Sequence, residues 1–190
     1  MQLIFASNNA HKLDEVKAIL APSGIEIKSL IDIGFYEEIE ETGLTFHENA
    51  AIKVNAIYDL KKLDCFADDS GLEVEALNGQ PGVFSARYSG ENGNHEANNQ
   101  KLLKELEGKT NRKACFKTVI ALMQNGTIHY FEGRVDGIIT EKLSGKEGFG
   151  YDPLFIPTGY DRTFADMPSE IKNNISHRKL ALEAMLDFWK

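Results

Sequence analysis

Leu3-Ile4-Phe5-Ala6 is an unbroken apolar run, and soon after it Leu13, Val16, Ile19 and Leu20 recur at helical spacing. The first pattern suits a buried strand, Gln2–Ala6; the second is one apolar face of a helix. Ser7, Asn8 and Asn9 between them are N-cap types, which predicts the helix over about Ala10–Leu20. A strand at Ile25–Leu30 follows, then the acidic loop "EEIEETG". A helix near Thr45–Leu63 comes next, with Phe46, Ala50, Val54, Ile57 and Leu60 three or four apart. "CFADD" predicts a buried strand and "GLEVEAL" a second short one, ahead of the Gly/Pro-rich loop Asn78–Asn94. A helix near His95–Leu106 precedes a long β segment, Lys113–Gln124, with Ala114, Phe116, Thr118 and Ile120 on one face. Asn125-Gly126 between two β runs is a strong hairpin signal, and "TIHYFEGRVDGIIT" is the return strand. The glycine loop "SGKEGFGYDP" leads to a last helix starting at about Ser176. A βαβ opening combined with an antiparallel hairpin predicts an α/β domain with a mixed sheet.

Composition narrows the function classes. A chain of 190 residues with 42% hydrophobic content and no repeat, linker or low-complexity tract is expected to form one domain, 1–190. Such a chain buries about 70% of its unfolded surface. A formal net charge of -8 argues against broad binding to nucleic acid or to anionic membranes. It leaves room for a small anionic ligand where cations gather. Cys65 and Cys115 lie in apolar surroundings and make no disulfide framework, so a reduced, cytoplasmic protein is expected. The amino terminus has no basic region and too short an apolar run for a signal peptide, and no window approaches a membrane span.

Two helix starts carry cations where the macrodipole disfavours them. His11 and Lys12 fall in the first turn after Asn9; His177, Arg178 and Lys179 fall in the first turn after Ser176. A single such lysine is as well explained by solvation. Two basic openings in an acidic chain are accounted for economically if both face one anion, since helix N-termini are natural phosphate sites. Lysine acts there as a point charge, whereas arginine's planar fork reads shape.

The carboxylates fit that chemistry. "FADDSG" places Asp68 and Asp69 at the end of a strand, where neighbouring side chains point to opposite faces, so one of the pair aims into a given site. The other is open to holding the turn. Magnesium is usually held by one or two carboxylates together with substrate phosphates, and Glu41 in "EETG" is a candidate second ligand. A solvated acidic loop, with an Asx-turn at Asp69-Ser70-Gly71, is the competing reading of these residues. In "GFGYDP" the glycines around Phe149 permit close backbone approach and an open ring face. From spacing alone, a plain structural turn capped by Asp152 is the better reading there.

Six collinear segments, "SNNAHKLDEV", "EETGLTFHENAAIKVNA", "FADDSGLEVEALNGQPGVFSARY", "NNQKLLKEL", "GFGYDPLF" and "KNNISHRKLAL", resemble the inosine triphosphate pyrophosphatase family from about Gln2 to Met185. The resemblance implies hydrolysis of inosine, deoxyinosine and xanthosine triphosphates to monophosphate and pyrophosphate. It implies an elongated mixed sheet with flanking helices, in two lobes around a central nucleotide cleft, and a homodimer. Position by position, it implies that Ser7, Asn8, Asn9, Ala10, His11 and Lys12 bind the triphosphate, with Lys53 a second phosphate contact. Glu41 and Asp69 hold magnesium, and Asp69 is also the catalytic base. Ser70 touches the substrate, while Phe149, Gly150, Tyr151, Asp152 and Lys172 hold the nucleotide. His177 and Arg178 read the purine. One departure is Leu143-Ser144-Gly145, where many relatives have proline-arginine-glycine, which bears on the shape of a loop.

The reaction so implied is attack of water on the α-phosphorus with pyrophosphate leaving. Alternatives are a hydrolase of other nucleotides and a non-catalytic nucleotide sensor. A P-loop enzyme is poorly supported, because no G-x-x-x-x-G-K-[ST] run occurs.

Overall fold

In the computed structural model, which describes Gln2–Trp189, the apolar opening run becomes β1 (Gln2–Phe5) and the helical repeat becomes α1 (Ala10–Leu20). β2 (Glu26–Lys28), α2 (Phe46–Lys61), β3 (Cys65–Val74) and α3 (His95–Glu105) follow. The chain then forms β4 (Lys113–Gln124), β5 (Thr127–Ile139), β6 (Phe155–Pro157), α4 (Ser169–Ile175) and α5 (His177–Asp187). Among the described residues the strands form a six-stranded sheet in the order β2-β1-β3-β4-β5-β6. β1 runs parallel to both β2 and β3, and β6 is antiparallel to β5, so the sheet is mixed as expected. Asn125 and Gly126 both take positive φ, +49° and +79°, as a two-residue hairpin turn between β4 and β5 requires.

One expectation is corrected. The break at Asp69-Ser70-Gly71 does not occur: β3 is one ten-residue strand, and the Asx-turn reading falls with it. Ser70 and Gly71 are turn formers by propensity, but pairing on the sheet supplies their backbone with partners and overrides that preference. The C-terminal segment also carries more structure than its sequence pattern offers, in β6 and in α4, whose seven residues directly precede α5.

The chain divides into two compact units. The first comprises 1–69, 118–133 and 178–190; the second comprises 70–117 and 134–177. In the first unit, alternation along the strands sorts side chains to two faces. Leu3, Phe5, Phe66, Ile120 and Leu122 pack with Val16 and Leu20 of α1 and with Ala181, Leu182 and Met185 of α5. Ile4, Ala6, Cys65, Ala67, Ala121 and Met123 pack with Ala50, Val54 and Ile57 of α2. Covering on both faces is why β1 reads as a continuous apolar run. In the second unit Leu72, Val74, Leu102, Leu106, Phe116, Tyr151, Phe155 and Phe164 belong to one core cluster. No helix among the described residues is long and apolar enough to cross a membrane.

Candidate functional site

The same alternation decides what happens at the acidic end of β3 in the first unit. Phe66 faces α1 and α5, so Asp68, two residues on, faces them too; Asp69 follows Cys65 and Ala67 toward α2. Asp68 is 1% exposed, and both basic helix openings meet on it. Lys12 Nζ lies 3.2 Å from Asp68 Oδ1, while Arg178 donates to Oδ2 from Nε at 3.1 Å and Nη2 at 2.9 Å. Nη1 of Arg178 donates to Glu15 of α1. The shared anion that two cationic helix starts call for is, within the chain itself, this buried carboxylate. Two carboxylates also fix the plane of the Arg178 guanidinium, which is 1% exposed.

The turn Ser7–Lys12 is built as its residue types predict. Asn9 is the N-cap of α1 and accepts from the backbone N–H of Lys12 at 3.1 Å; Ser7 Oγ accepts from the N–H of Asn9 at 3.2 Å. Asn8 Nδ2 donates to the Glu37 carbonyl, and Asn8, Ala10 and His11 are exposed.

On the α2 face, Lys53 is buried and donates to Glu41 Oε1 at 2.9 Å and to the Asp68 carbonyl at 2.6 Å. One helical turn earlier, the fully buried Asn49 donates from Nδ2 to Asp69 Oδ2 at 3.0 Å and accepts from the Gly43 N–H at 2.8 Å. The start of α2 is fixed by a reciprocal cap: Thr45 accepts from the Glu48 N–H, and Glu48 accepts from the Thr45 N–H. Asn49 is not among the residues the sequence singles out. Its signal is an amide at a core-facing position of an otherwise apolar helix stripe, four residues before a lysine in the same situation.

Burial and charge set the proton affinities. Burial raises the Asp69 carboxyl above the ordinary aspartate value, against the opposing pull of Lys53 and Lys12. Burial lowers the Lys12 ammonium; Asp68 opposes that, and Lys53 and Arg178 add to it. For Lys53, burial is outweighed by Glu41, Asp69 and Asp68, and the ammonium is held above its usual value. The first unit thus gathers Lys12, Lys53 and Arg178 with Glu41, Asp68 and Asp69: cations for a polyanion, a carboxylate with raised proton affinity, and hard oxygen donors.

In the second unit the Phe149–Asp152 segment is a braced loop. Asp152 Oδ2 accepts from the Phe149 N–H at 2.8 Å and from the buried Lys172 Nζ of α4 at 2.7 Å. Lys172 Nζ also stands 4.9 Å from the centre of the Phe149 ring, a cation–π distance. Gly148 has φ +73°, and a Cβ there would lie 2.1 Å from Asp152 Oδ2. Asn99 of α3 donates to the Gly150 carbonyl at 2.9 Å, and the Tyr151 hydroxyl donates to the Ser85 carbonyl at 2.9 Å. His177 stacks on Phe116 with ring centres 4.8 Å apart and planes 9° from parallel. Ser70 is half-buried on β3. The plain-turn reading of "GFGYDP" is therefore sound as local structure, and the same bonds hold Phe149 in place.

Residues 3–188 match the Ham1 family. A dITP/XTP pyrophosphatase of Flavobacterium psychrophilum is 54% identical over 190 residues, covering 100% of both chains. Solved structures of a Ham1 protein from Staphylococcus aureus and a HAM1 protein from Coxiella burnetii are each 40% identical to this chain. Each comparison covers 100% of this chain and 98% of the other, with TM-scores of 0.89 and 0.90. The chain belongs to the Ham1 family.

Proposed function

We propose that this protein hydrolyses deaminated purine nucleoside triphosphates (those of inosine, deoxyinosine and xanthosine) to the monophosphate and pyrophosphate, clearing them from the nucleotide pool. The observation that carries this reading is the end-to-end similarity to relatives named dITP/XTP pyrophosphatases. The cluster of cations and carboxylates around the end of β3 supplies the chemistry.

Phosphoryl chemistry of this kind needs positioning and charge neutralisation more than covalent help. Ser7, Asn8, Asn9, Ala10 and His11 bind the triphosphate at the start of α1, with Lys12 and Lys53 as charge partners. Asp69 accepts a proton from the attacking water; a carboxyl whose proton affinity burial raises is better matched to that task near neutral pH. The new bond is water oxygen to α-phosphorus, and the bridging oxygen leaves with pyrophosphate.

Glu41 and Asp69 fit magnesium. They offer hard oxygen donors beside Lys53. Two carboxylates plus phosphate oxygens is the usual manner of holding that ion. Bound there, the ion would neutralise phosphate charge and lower the pKa of a coordinated water.

Phe149, Gly150, Tyr151, Asp152, Lys172 and Ser70 hold the nucleotide, and His177 and Arg178 read the purine. Arg178 has only donors, which suits the 6-oxygen of hypoxanthine and xanthine and mismatches the 6-amino group of adenine. The working form is a cytoplasmic homodimer of a single 1–190 domain. The test is hydrolysis of a panel of nucleoside triphosphates with magnesium, with the released phosphate identified. Pyrophosphate from inosine triphosphate, with little from adenosine triphosphate, is expected, and Asp69→Asn should reduce turnover by orders of magnitude in a folded protein. Release of orthophosphate instead would place cleavage at the γ-phosphorus and reject the reading.

A further inference from the structure

The amide of Asn49 touches both halves of the proposed metal site, the loop that carries Glu41 and the strand end that carries Asp69. Its orientation is not a matter of choice. The Gly43 backbone N–H can only donate, so the atom 2.8 Å from it must be Oδ1, and Nδ2 is left facing Asp69 Oδ2 at 3.0 Å. A backbone group thus dictates which end of the amide meets the carboxylate.

The loop reaches this amide only because residue 43 has no side chain. A Cβ on Gly43 would lie 2.6 Å from Asn49 Oδ1, 2.6 Å from Glu48 Cβ and 3.0 Å from the Asn49 nitrogen. Lys53, one turn along α2, makes the parallel pair of contacts, to Glu41 Oε1 and to the Asp68 carbonyl. Two polar side chains on one helix stripe therefore each hold the acidic loop with one contact and the strand end with another. The rest of that stripe (Phe46, Ala50, Val54 and Ile57) is buried core, where an aliphatic residue would pack without an amide to desolvate.

We propose that Asn49 is a positioning residue that fixes the Asp69 carboxylate relative to the Glu41 loop, with Gly43 as its obligatory partner. This deepens the assignment of Glu41 and Asp69 as the metal-binding and base carboxylates and rests on it. Truncating the amide removes one hydrogen bond that orients the Asp69 side chain and one that holds the loop; adding a methyl at residue 43 breaks the same joint from the other side.

The test compares Asn49→Ala, Gly43→Ala and a core control, Val54→Ala, which is buried on the same helix. Three quantities are read: melting temperature, magnesium binding by calorimetric titration without nucleotide, and kcat and KM with inosine triphosphate. All three variants are expected to melt lower. Only Asn49→Ala and Gly43→Ala should lose magnesium affinity and kcat, by roughly 10- to 100-fold, with KM little changed. Should Asn49→Ala fail to fold, Gly43→Ala decides. The proposal is overturned if these variants match Val54→Ala in kcat and magnesium binding once stability is allowed for. A wild-type chain that binds magnesium yet leaves inosine triphosphate intact rejects the proposed reaction alone, and the titration then still decides the role of Asn49. If wild type turns over without measurable magnesium binding on its own, kcat decides. A chain doing neither sinks both.

Discussion

Arg178, at the start of α5, holds Asp68 at the end of the first unit's part of β3 through two nitrogens, 3.1 and 2.9 Å from the same carboxylate oxygen. The other oxygen takes Lys12 from the start of α1. A carboxylate 1% exposed is thus the internal counter-ion for two cations that the helix dipoles alone would disfavour.

Replacing that counter-ion should therefore act first on stability. Asp68→Ala leaves the buried Arg178 and the half-buried Lys12 without their shared partner, and losing one side of a buried ion pair costs about 3–5 kcal/mol. Urea denaturation should show a shift of that size in the unfolding free energy. Pyrophosphate, by offering the cations another anion, should stabilise Asp68→Ala more than it stabilises wild type. A variant as stable as wild type would mean that Glu15 and other neighbours carry the charge balance instead.

How far the site was legible follows from which contacts are local. Strand alternation at Asp68-Asp69 is a short-range pattern that announces two differently facing carboxylates, and the two cationic helix starts announce that Lys12 and Arg178 share an anionic partner, which the sequence reading takes to be a bound phosphate and which within the chain is Asp68. That the shared anion is Asp68 is not legible, because α5 reaches β3 only through tertiary packing. α4 escapes for another reason: "SEIKNNI" has little apolar periodicity, and Lys172 is buried by its ion pair and the Phe149 ring rather than by hydrophobicity. The continuity of β3 through Ser70-Gly71 is hidden because propensity favours a turn where sheet pairing prevails.

Lys12 should set an alkaline limb. Burial, with Lys53 and Arg178 adding to it and Asp68 opposing, holds its ammonium below the ordinary lysine value of 10.5. As pH rises through that lowered value the charge is lost, so kcat/KM with inosine triphosphate should fall at lower pH than an ordinary lysine would dictate. The linked stability has the opposite sign: between the folded and unfolded pKa values the unfolded chain binds more protons, so this group's contribution makes folding more favourable as pH rises. Lys12→Arg, which stays charged, should move the limb upward. A profile unchanged by Lys12→Arg would assign the limb to another group.

Two glycines of the braced loop separate backbone strain from steric clash. Gly148 and Gly150 both have positive φ, +73° and +63°, so alanine at either should cost about 1–2 kcal/mol of conformational strain. At Gly150 a Cβ meets nothing within 4 Å, whereas at Gly148 it meets Asp152 Oδ2 at 2.1 Å, on the oxygen that ties Phe149 and Lys172 together. Gly150→Ala should thus lower the melting temperature modestly and keep KM near wild type. Gly148→Ala should raise KM for inosine triphosphate roughly tenfold or more, since displacing the anchor costs more than 1.4 kcal/mol. Equal KM values in the two variants would show that the loop's brace does not hold the nucleotide.

Arg178→Lys tests whether shape or charge selects the base. Lysine keeps a cation for Asp68, so the fold and the counter-ion balance should largely survive, with a stability loss smaller than that of Asp68→Ala. It lacks the planar fork that two carboxylates now hold in one orientation, so its remaining donors have no fixed direction. An arginine aimed at a 6-oxygen excludes adenine because donor would meet donor, and in a dry site such a mismatch separates substrates by large factors. A mobile ammonium can swing away from adenine's amino group, so the penalty shrinks. The ratio of kcat/KM for inosine triphosphate to that for adenosine triphosphate should therefore fall at least tenfold in Arg178→Lys, mainly through loss on inosine triphosphate. Guanosine triphosphate, which keeps the 6-oxygen, should decline in parallel with inosine triphosphate. If the two purines with a 6-oxygen respond differently while adenosine triphosphate tracks one of them, base selection lies elsewhere and Arg178 serves the ion-pair network alone.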